Sequence, residues 1–276
     1  MLRIIIGSAI VAVAVLAIVL IWSHWRWNDR IEADVSRLSA AAARDVVVVT
    51  EEMMTSLPAP VRRYLAYTGV VGKPIPSTVR LSQRGRIRND AGASWMNLEA
   101  VQHYSTRPPA FVWKASFPTR NLPVVLGRDA YLDGEGSILM KVLSLFTVAD
   151  EHGEALREAA LMRYLNEMMW FPAAFLGNNV AWTPIDDTSA TATIDDRGMS
   201  ATATLFFDAD GRLVNFRATR FNTATRTMET WETPVTGYGE FGGLRLPSKG
   251  SAVWKLADGD FAYIELEIVE IAYDGG

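Results

Sequence analysis

The sequence predicts a mainly β domain of the α+β kind, a strongly curved antiparallel meander wrapped around one main helix and preceded by an N-terminal transmembrane helix. Three observations lead there. Apolar residues alternate with period two through most of the chain after residue 77, the spacing of half-buried strands. Turn-forming clusters punctuate them: Asp195-Asp196-Arg197-Gly198, Asp208-Ala209-Asp210-Gly211 and Ala257-Asp258-Gly259-Asp260. Short loops between consecutive strands make antiparallel neighbours. One long segment, Glu154–Met169, carries the helical period instead.

The chain opens with the apolar run Ile4–Trp22, which contains no ionisable residue. As a helix it would extend roughly 28 Å, about the hydrocarbon thickness of a bilayer. A cleaved signal peptide has a shorter core, roughly 7–15 residues, that ends at small side chains. This run instead continues into Trp22, His24, Trp25 and Trp27. The rings of Trp22, Trp25 and Trp27 suit the headgroup layer. Arg3 stands on the short side of the run and Arg26, Arg30 and Arg37 on the long side, a count that does not settle orientation. A short tail before a long domain is the usual form of a signal anchor. The expectation is a single-pass protein of the plasma membrane with its main domain outside the cytoplasm.

The expected organisation is an anchor and interface over 1–27, a stalk over 28–56, and a single sheet domain over 57–276. Pro58 and Pro60 open a short helix, Val61–Thr68, which Gly69 stops. Strands are expected at 78–88, 94–104, 111–117 and 124–133. After the helical break at Glu154–Met169 they resume at 180–186, 189–195, 199–207, 212–221, 227–236, 244–256 and 261–273. The break helix sets Leu161, Met162, Tyr164, Leu165, Met168 and Met169 on one broad apolar face, with Arg163, Asn166 and Glu167 opposite. A face that wide must be buried, and the sheet is the only large partner, so the helix is expected across its concave side.

Net charge is −4 and the composition is mixed, which argues against a nucleic-acid partner. The chain has no cysteine, so it carries no disulfide, thiol nucleophile or lipidated cysteine. The three histidines, His24, His103 and His152, have no metal-ligand spacing. No G-x-S-x-G elbow is present. No catalytic residue, metal or cofactor is expected.

Several stretches together resemble an uncharacterised group of bacterial proteins, defined only as a domain of unknown function, whose members often carry an N-terminal hydrophobic segment. They include LPAPVRRYL from Leu57, RPPAFVWKA from Arg107, GRDAYLDGEG from Gly127, RYLNEMMWFPAAFL from Arg163, FDADGRLVNF from Phe207 and FGGLRLPSKGSAVW from Phe241. The resemblance brings no reaction with it, and it implies a bacterial plasma membrane. The arrangement is also similar, in topology alone, to the lipoprotein-carrier fold, in which a curved sheet wraps around helices and shelters an acyl chain.

Asp129, Tyr131, Asp133 and Glu135 could line one strand face as acid–base or cation-binding groups. The alternative is that Asp133-Gly134-Glu135-Gly136 is a turn. Arg80, Arg84, Arg86 and Arg88 share one parity. They suit either anionic headgroups or a solvated face with acidic partners such as Glu99. Trp113, Trp170, Phe171 and Phe175 are the expected lining of a ligand cavity, with Arg84 and Arg86 as headgroup contacts. Three functions remain open: a membrane-tethered, non-enzymatic binding module for a lipid or other apolar small molecule; an envelope protein–protein interaction domain with a solid core; and a carboxylate-dependent hydrolase. The bilayer is the expected partner in each.

Overall fold

The apolar run forms one end of a helix that does not stop where the run stops. In the computed structural model, which describes residues 2–118 and 124–274, helix α1 spans Leu2–Ala41 without interruption. At 1.5 Å per residue it is roughly 60 Å long. It is long and apolar enough to cross a membrane, and among the described residues none of its apolar window is buried. Its second half differs. Ser23, Trp27, Ile31 and Leu38 are buried, recurring every four or seven residues, which places them on one face. That face packs on Ala110, Val112, Leu126, Ala130, Leu132 and Leu139 of the sheet. Trp22 and Trp25 stay exposed as expected, but Trp27 does not; its ring lies against the sheet.

Polar contacts fix the same docking. Lys114 Nζ donates to Asn28 Oδ1 at 2.7 Å, and Arg128, itself buried, holds Asp34 at 2.8 Å. Arg37 pairs with Asp133. The region expected as a stalk therefore divides into a docked helical end, to Ala41, and a following segment that ends in a short 3-10 turn, Glu52–Met54. That segment lies on the domain through Val49, whose N–H donates to the Lys73 carbonyl.

Helix α2 (Ala59–Thr68) starts on its prolines and ends at Gly69, which adopts the left-handed conformation that a residue without Cβ takes most easily. The strands are β1 (Thr78–Ile87), β2 (Met96–Ser105), β3 (Ala110–Phe117), β4 (Val125–Leu132), β5 (Glu135–Val142) and β6 (Phe146–His152). Helix α3 (Glu154–Glu167) follows with two short 3-10 segments, Met168–Trp170 and Pro172–Leu176. Then come β7 (Val180–Asp186), β8 (Ser189–Asp196), β9 (Met199–Phe207), β10 (Leu213–Asn222), β11 (Thr227–Glu232), β12 (Val235–Phe241), β13 (Leu244–Leu256) and β14 (Gly259–Tyr273). All described strand pairs are antiparallel, in the order β6-β5-β4-β3-β2-β1-β14-β13-β11-β10-β9-β8-β7, with β12 beside β13.

Strong curvature follows from what α3 touches. It packs against β4 and β5 near one edge and against β8, β9 and β10 near the other. A flat sheet could not bring both sets to one helix. The two ends also meet directly: the Tyr131 hydroxyl donates to Asp196 at 2.7 Å. The helix is thus enclosed on most sides. Arg163, Asn166 and Glu167 point inward, not to solvent as the sequence suggested, and Asn166 and Glu167 are buried.

The hairpin β5–β6 falls in a stretch where no strand was expected. The reason is its exposure. All of β6 except Ala149 is exposed, so an edge strand leaves no core pattern to read. The expected strand 227–236 is two strands, broken at Thr233-Pro234, because proline cannot donate to a ladder.

Gly136 shows how closely helix and sheet approach. A Cβ there would lie 2.5 Å from the Leu156 carbonyl oxygen in the first turn of α3. Gly136→Ala must push that turn away, and overpacking of this kind costs about 1–3 kcal/mol. Denaturant unfolding should show a lower midpoint with an unchanged slope.

Candidate functional site: the concave face of the sheet

Strand β1 separates two sets of residues. Gln83 faces inward, where its Oε1 accepts from Trp113 Nε1 at 3.0 Å. Arg84 and Arg86 have the opposite parity and face outward. They pair with Glu267 at 3.0 Å and Glu265 at 2.7 Å on β14, while Arg80 pairs with Glu270. Glu99 is in register with Arg84, but the ion pairs form on the other neighbouring strand. The arginine stripe and the aromatic residues therefore lie on opposite sides of the sheet. The structure does not bring them together.

The inner face holds an ionic network. Arg163 of α3 donates to Asp129 at 2.6 Å and to Glu167 at 2.8 Å, and its other amino group donates to Gln102 at 3.2 Å. Gln102 and Tyr104 both donate to Glu167, at 2.7 and 3.2 Å. The guanidinium sits 5.0 Å from the ring centres of both Phe111 and Trp113. Arg220 stands beside the network with Trp231 at 4.8 Å and donates to the Ala159 carbonyl. The Arg163 and Asp129 side chains remain 16 and 21% exposed, so solvent reaches the network's edge.

Burial raises the Asp129 carboxyl above its ordinary range, against the opposing pull of Arg163 and Arg220. Burial also lowers Arg220. For Arg163 burial acts downward too, but Glu167 and Asp129 outweigh it and its proton is held more firmly than usual. Two guanidinium groups and two carboxylates close to neutrality. Such an arrangement holds helix to sheet beside Trp113.

The four aromatic residues expected to line a cavity are all buried. Trp113 is at the network's edge, next to Phe117 at 6.4 Å. Trp170 donates to the Pro247 carbonyl, and its own carbonyl accepts from Tyr273 at 2.6 Å. Phe171 lies 4.8 Å from Tyr104, and Phe175 lies 5.5 Å from Trp182. Two clefts open elsewhere, on the outer face against α1. One of about 170 Å³ runs between Leu38–Ser39 and residues including Arg80, His103 and Tyr273, and a small one of about 10 Å³ lies by Arg37 and Pro108. Neither is lined by the four aromatics.

Several apolar side chains toward one end of the inner face are incompletely covered. Ile87, Val125, Met140, Phe261, Ile264 and Leu266 pack against the core but stay partly exposed. Cross-strand register puts Ile87 opposite Ile264, Gly85 opposite Leu266, and Gly127 opposite Met140. Direction along the sheet is set by α1. Strand β4 reaches Asp34 through Arg128, and Asp133 just beyond its end reaches Arg37. Its start, Val125, therefore points back toward the apolar run.

The acidic motif divides as a turn divides. Asp129 faces the network, while Asp133 and Gly134 both take positive φ between β4 and β5. Asp133 ties the turn to Arg37 and, at 3.7 Å, to Arg197. Sequence reasoning missed the network itself. Its one legible signal was the i,i+4 spacing of Arg163 and Glu167.

Residues 47–266 match the model of a family described as a family of unknown function, DUF6544. No curated protein matches the chain. Among solved structures, it is similar to a DUF1329 family protein from Desulfovibrio piger, with 8% identity over 80% of this chain and 95% of that one, at a TM-score of 0.44. A LolA superfamily protein from Nitrosomonas europaea gives 9% identity over 80 and 96% of the two chains, at a TM-score of 0.37. The lipoprotein LppX of Mycobacterium tuberculosis gives 13% identity over 76 and 92%, at a TM-score of 0.21.

Proposed function

The chain belongs to the DUF6544 family, and we propose that it is a membrane-tethered, non-enzymatic binding module whose concave face takes an apolar ligand such as an acyl chain. One observation carries this reading. Several partly exposed apolar side chains of the inner face, Ile87, Val125, Met140, Phe261, Ile264 and Leu266, lie toward the sheet end that points to the apolar run of α1. In this reading α1 spans the plasma membrane once and holds the domain outside the cytoplasm. A ligand leaving the bilayer would meet that end first. Trp113 would form the floor, and the Arg163–Asp129 edge would meet a polar head. Trp170, Phe171 and Phe175 would be reached only by displacing the 3-10 segments. Arg84 and Arg86, on the outer face, would contact anionic headgroups and not the ligand.

The test is photocrosslinking of the full-length protein in its membrane with a diazirine fatty acid, followed by peptide mapping. Adducts are expected on Met140, Phe261 or Leu266 in addition to α1. Adducts confined to α1 would remove the binding reading. A second reading, an interaction domain with a solid core, is favoured by the direct packing of Phe171 on Tyr104 and of Phe175 on Trp182. It would then take first place. A carboxylate-dependent hydrolase would draw on Asp129 and Glu167, and Arg163 engages both.

A further inference from the structure

The turn between β5 and β6 carries an unusual residue choice. Leu143 and Ser144 both have positive φ, 54° and 60°, and the Leu145 N–H closes the turn on the Val142 carbonyl at 3.0 Å. Two-residue turns of this conformation prefer Asn-Gly, because a branched side chain is strained there. Here a leucine occupies the first position. The surrounding side chains are also apolar and open to solvent: Phe146 is 61% exposed and Val148 59%, with Val124 and Leu143 exposed beside them. The Leu143 N–H donates to the Val124 carbonyl at 2.9 Å, which joins the group. Neither turn chemistry nor the core accounts for these residues.

The contact of this turn with α1 sets its position. The Ser23 hydroxyl donates to the Ser144 carbonyl at 2.6 Å, and His24 Nδ1 lies 3.2 Å from the Ser144 hydroxyl. Ser23 is the residue immediately after the apolar run Ile4–Trp22. Trp22 and Trp25 are exposed at the same level, and the Arg26 guanidinium lies 5.7 Å from the Trp22 ring centre. That grouping of tryptophan and arginine suits the interface between headgroups and hydrocarbon. Below the docked stripe none of the apolar window of the helix is buried among the described residues, so the turn stands where a span would leave the bilayer.

We propose that the β5–β6 turn, Leu143–Phe146, is a second membrane contact, inserted into the headgroup layer of the leaflet from which α1 emerges. The inference rests on the reading of Ile4–Trp22 as a span. Its partner is the lipid bilayer, and continuity with the span selects it over a protein. Apolar side chains in that layer lose contact with water. With the docked stripe of α1, the turn holds the domain at a fixed tilt. The end of the concave face that starts at Val125 is then pressed toward the lipid.

The chain has no cysteine, so single labels can be placed without background. Phe146→Cys, His152→Cys and Val13→Cys are made separately in the full-length protein, labelled with an environment-sensitive fluorophore and reconstituted into phosphatidylethanolamine–phosphatidylglycerol vesicles. Nitroxide-labelled phospholipid is the quencher, with iodide as the aqueous counterpart. The expected result is quenching by lipid nitroxide and a blue-shifted emission at positions 13 and 146, with the label at 152 quenched by iodide alone. Lipid quenching at 13 with the label at 146 behaving like that at 152 would overturn the inference and leave the span standing. Loss of lipid quenching at both 13 and 146 would overturn the span and the inference together.

Discussion

Replacing Arg163 with methionine is expected to destabilise the domain by about 3–5 kcal/mol, the usual cost of removing one partner from a buried ion network. The cause is what remains behind. Asp129 and Glu167 each lose a charge-assisted hydrogen bond, of 2.6 and 2.8 Å, and Gln102 loses a donor. Arg220 stays nearby but makes its own hydrogen bond to the Ala159 carbonyl. The loss should depend on pH. Burial raises the Asp129 carboxyl in the folded protein above its unfolded value. Its contribution to stability is then fully present below the unfolded pKa and is lost as pH rises through the folded one. Without Arg163 the ionised form is still less favourable, so that fall extends to higher pH and grows in total. Denaturant unfolding in detergent should show the largest gap between variant and parent at neutral pH and a smaller one in acid. A gap below about 1 kcal/mol at neutral pH would show that the network contributes little, against the cost expected for a broken buried pair.

Leu165→Ala is expected to cost about 2–5 kcal/mol. Leu165 is fully buried in the main cluster, in the middle of α3. Truncation removes its transfer energy and leaves a void that both sheet ends must close over. Because α3 contacts strands near both edges, neither side can collapse without disturbing the other, which places the expected value in the upper part of the range. The same unfolding series, followed by tryptophan emission, measures it. A loss below about 0.5 kcal/mol would mean that the space around α3 repacks freely, unlike a close-packed interior.

Much of the architecture was legible in the chain because it rests on local regularities. The apolar run defined its helix by length and composition. Period two marked the strands that have one face inside, as at Leu98, Ala100, Gln102 and Tyr104 on β2. Asp208-Ala209-Asp210-Gly211 and its counterparts marked turns, and Gly69 marked the end of α2. The family resemblance read from scattered stretches is borne out by the match over residues 47–266. Where a strand lies on an edge, as β6 does, neither face is covered and the pattern disappears.

Tertiary structure alone decided the rest, since it depends on which surfaces meet. Trp27 reads as a headgroup anchor by composition, but the sheet's outer face offers Val112 and Leu126 to cover it. Arg163 and Glu167 read as the solvent side of α3, because a single helix has only two faces to assign. A sheet that closes around the helix from both edges leaves little of it to solvent, and those charges then find Asp129, Gln102 and Tyr104. Arg84 and Arg86 are separated from the aromatic interior by the thickness of one sheet, a consequence of parity that the sequence did contain. That Glu265 and Glu267, far along the chain, lie beside them is a consequence of strand order, which no local pattern encodes.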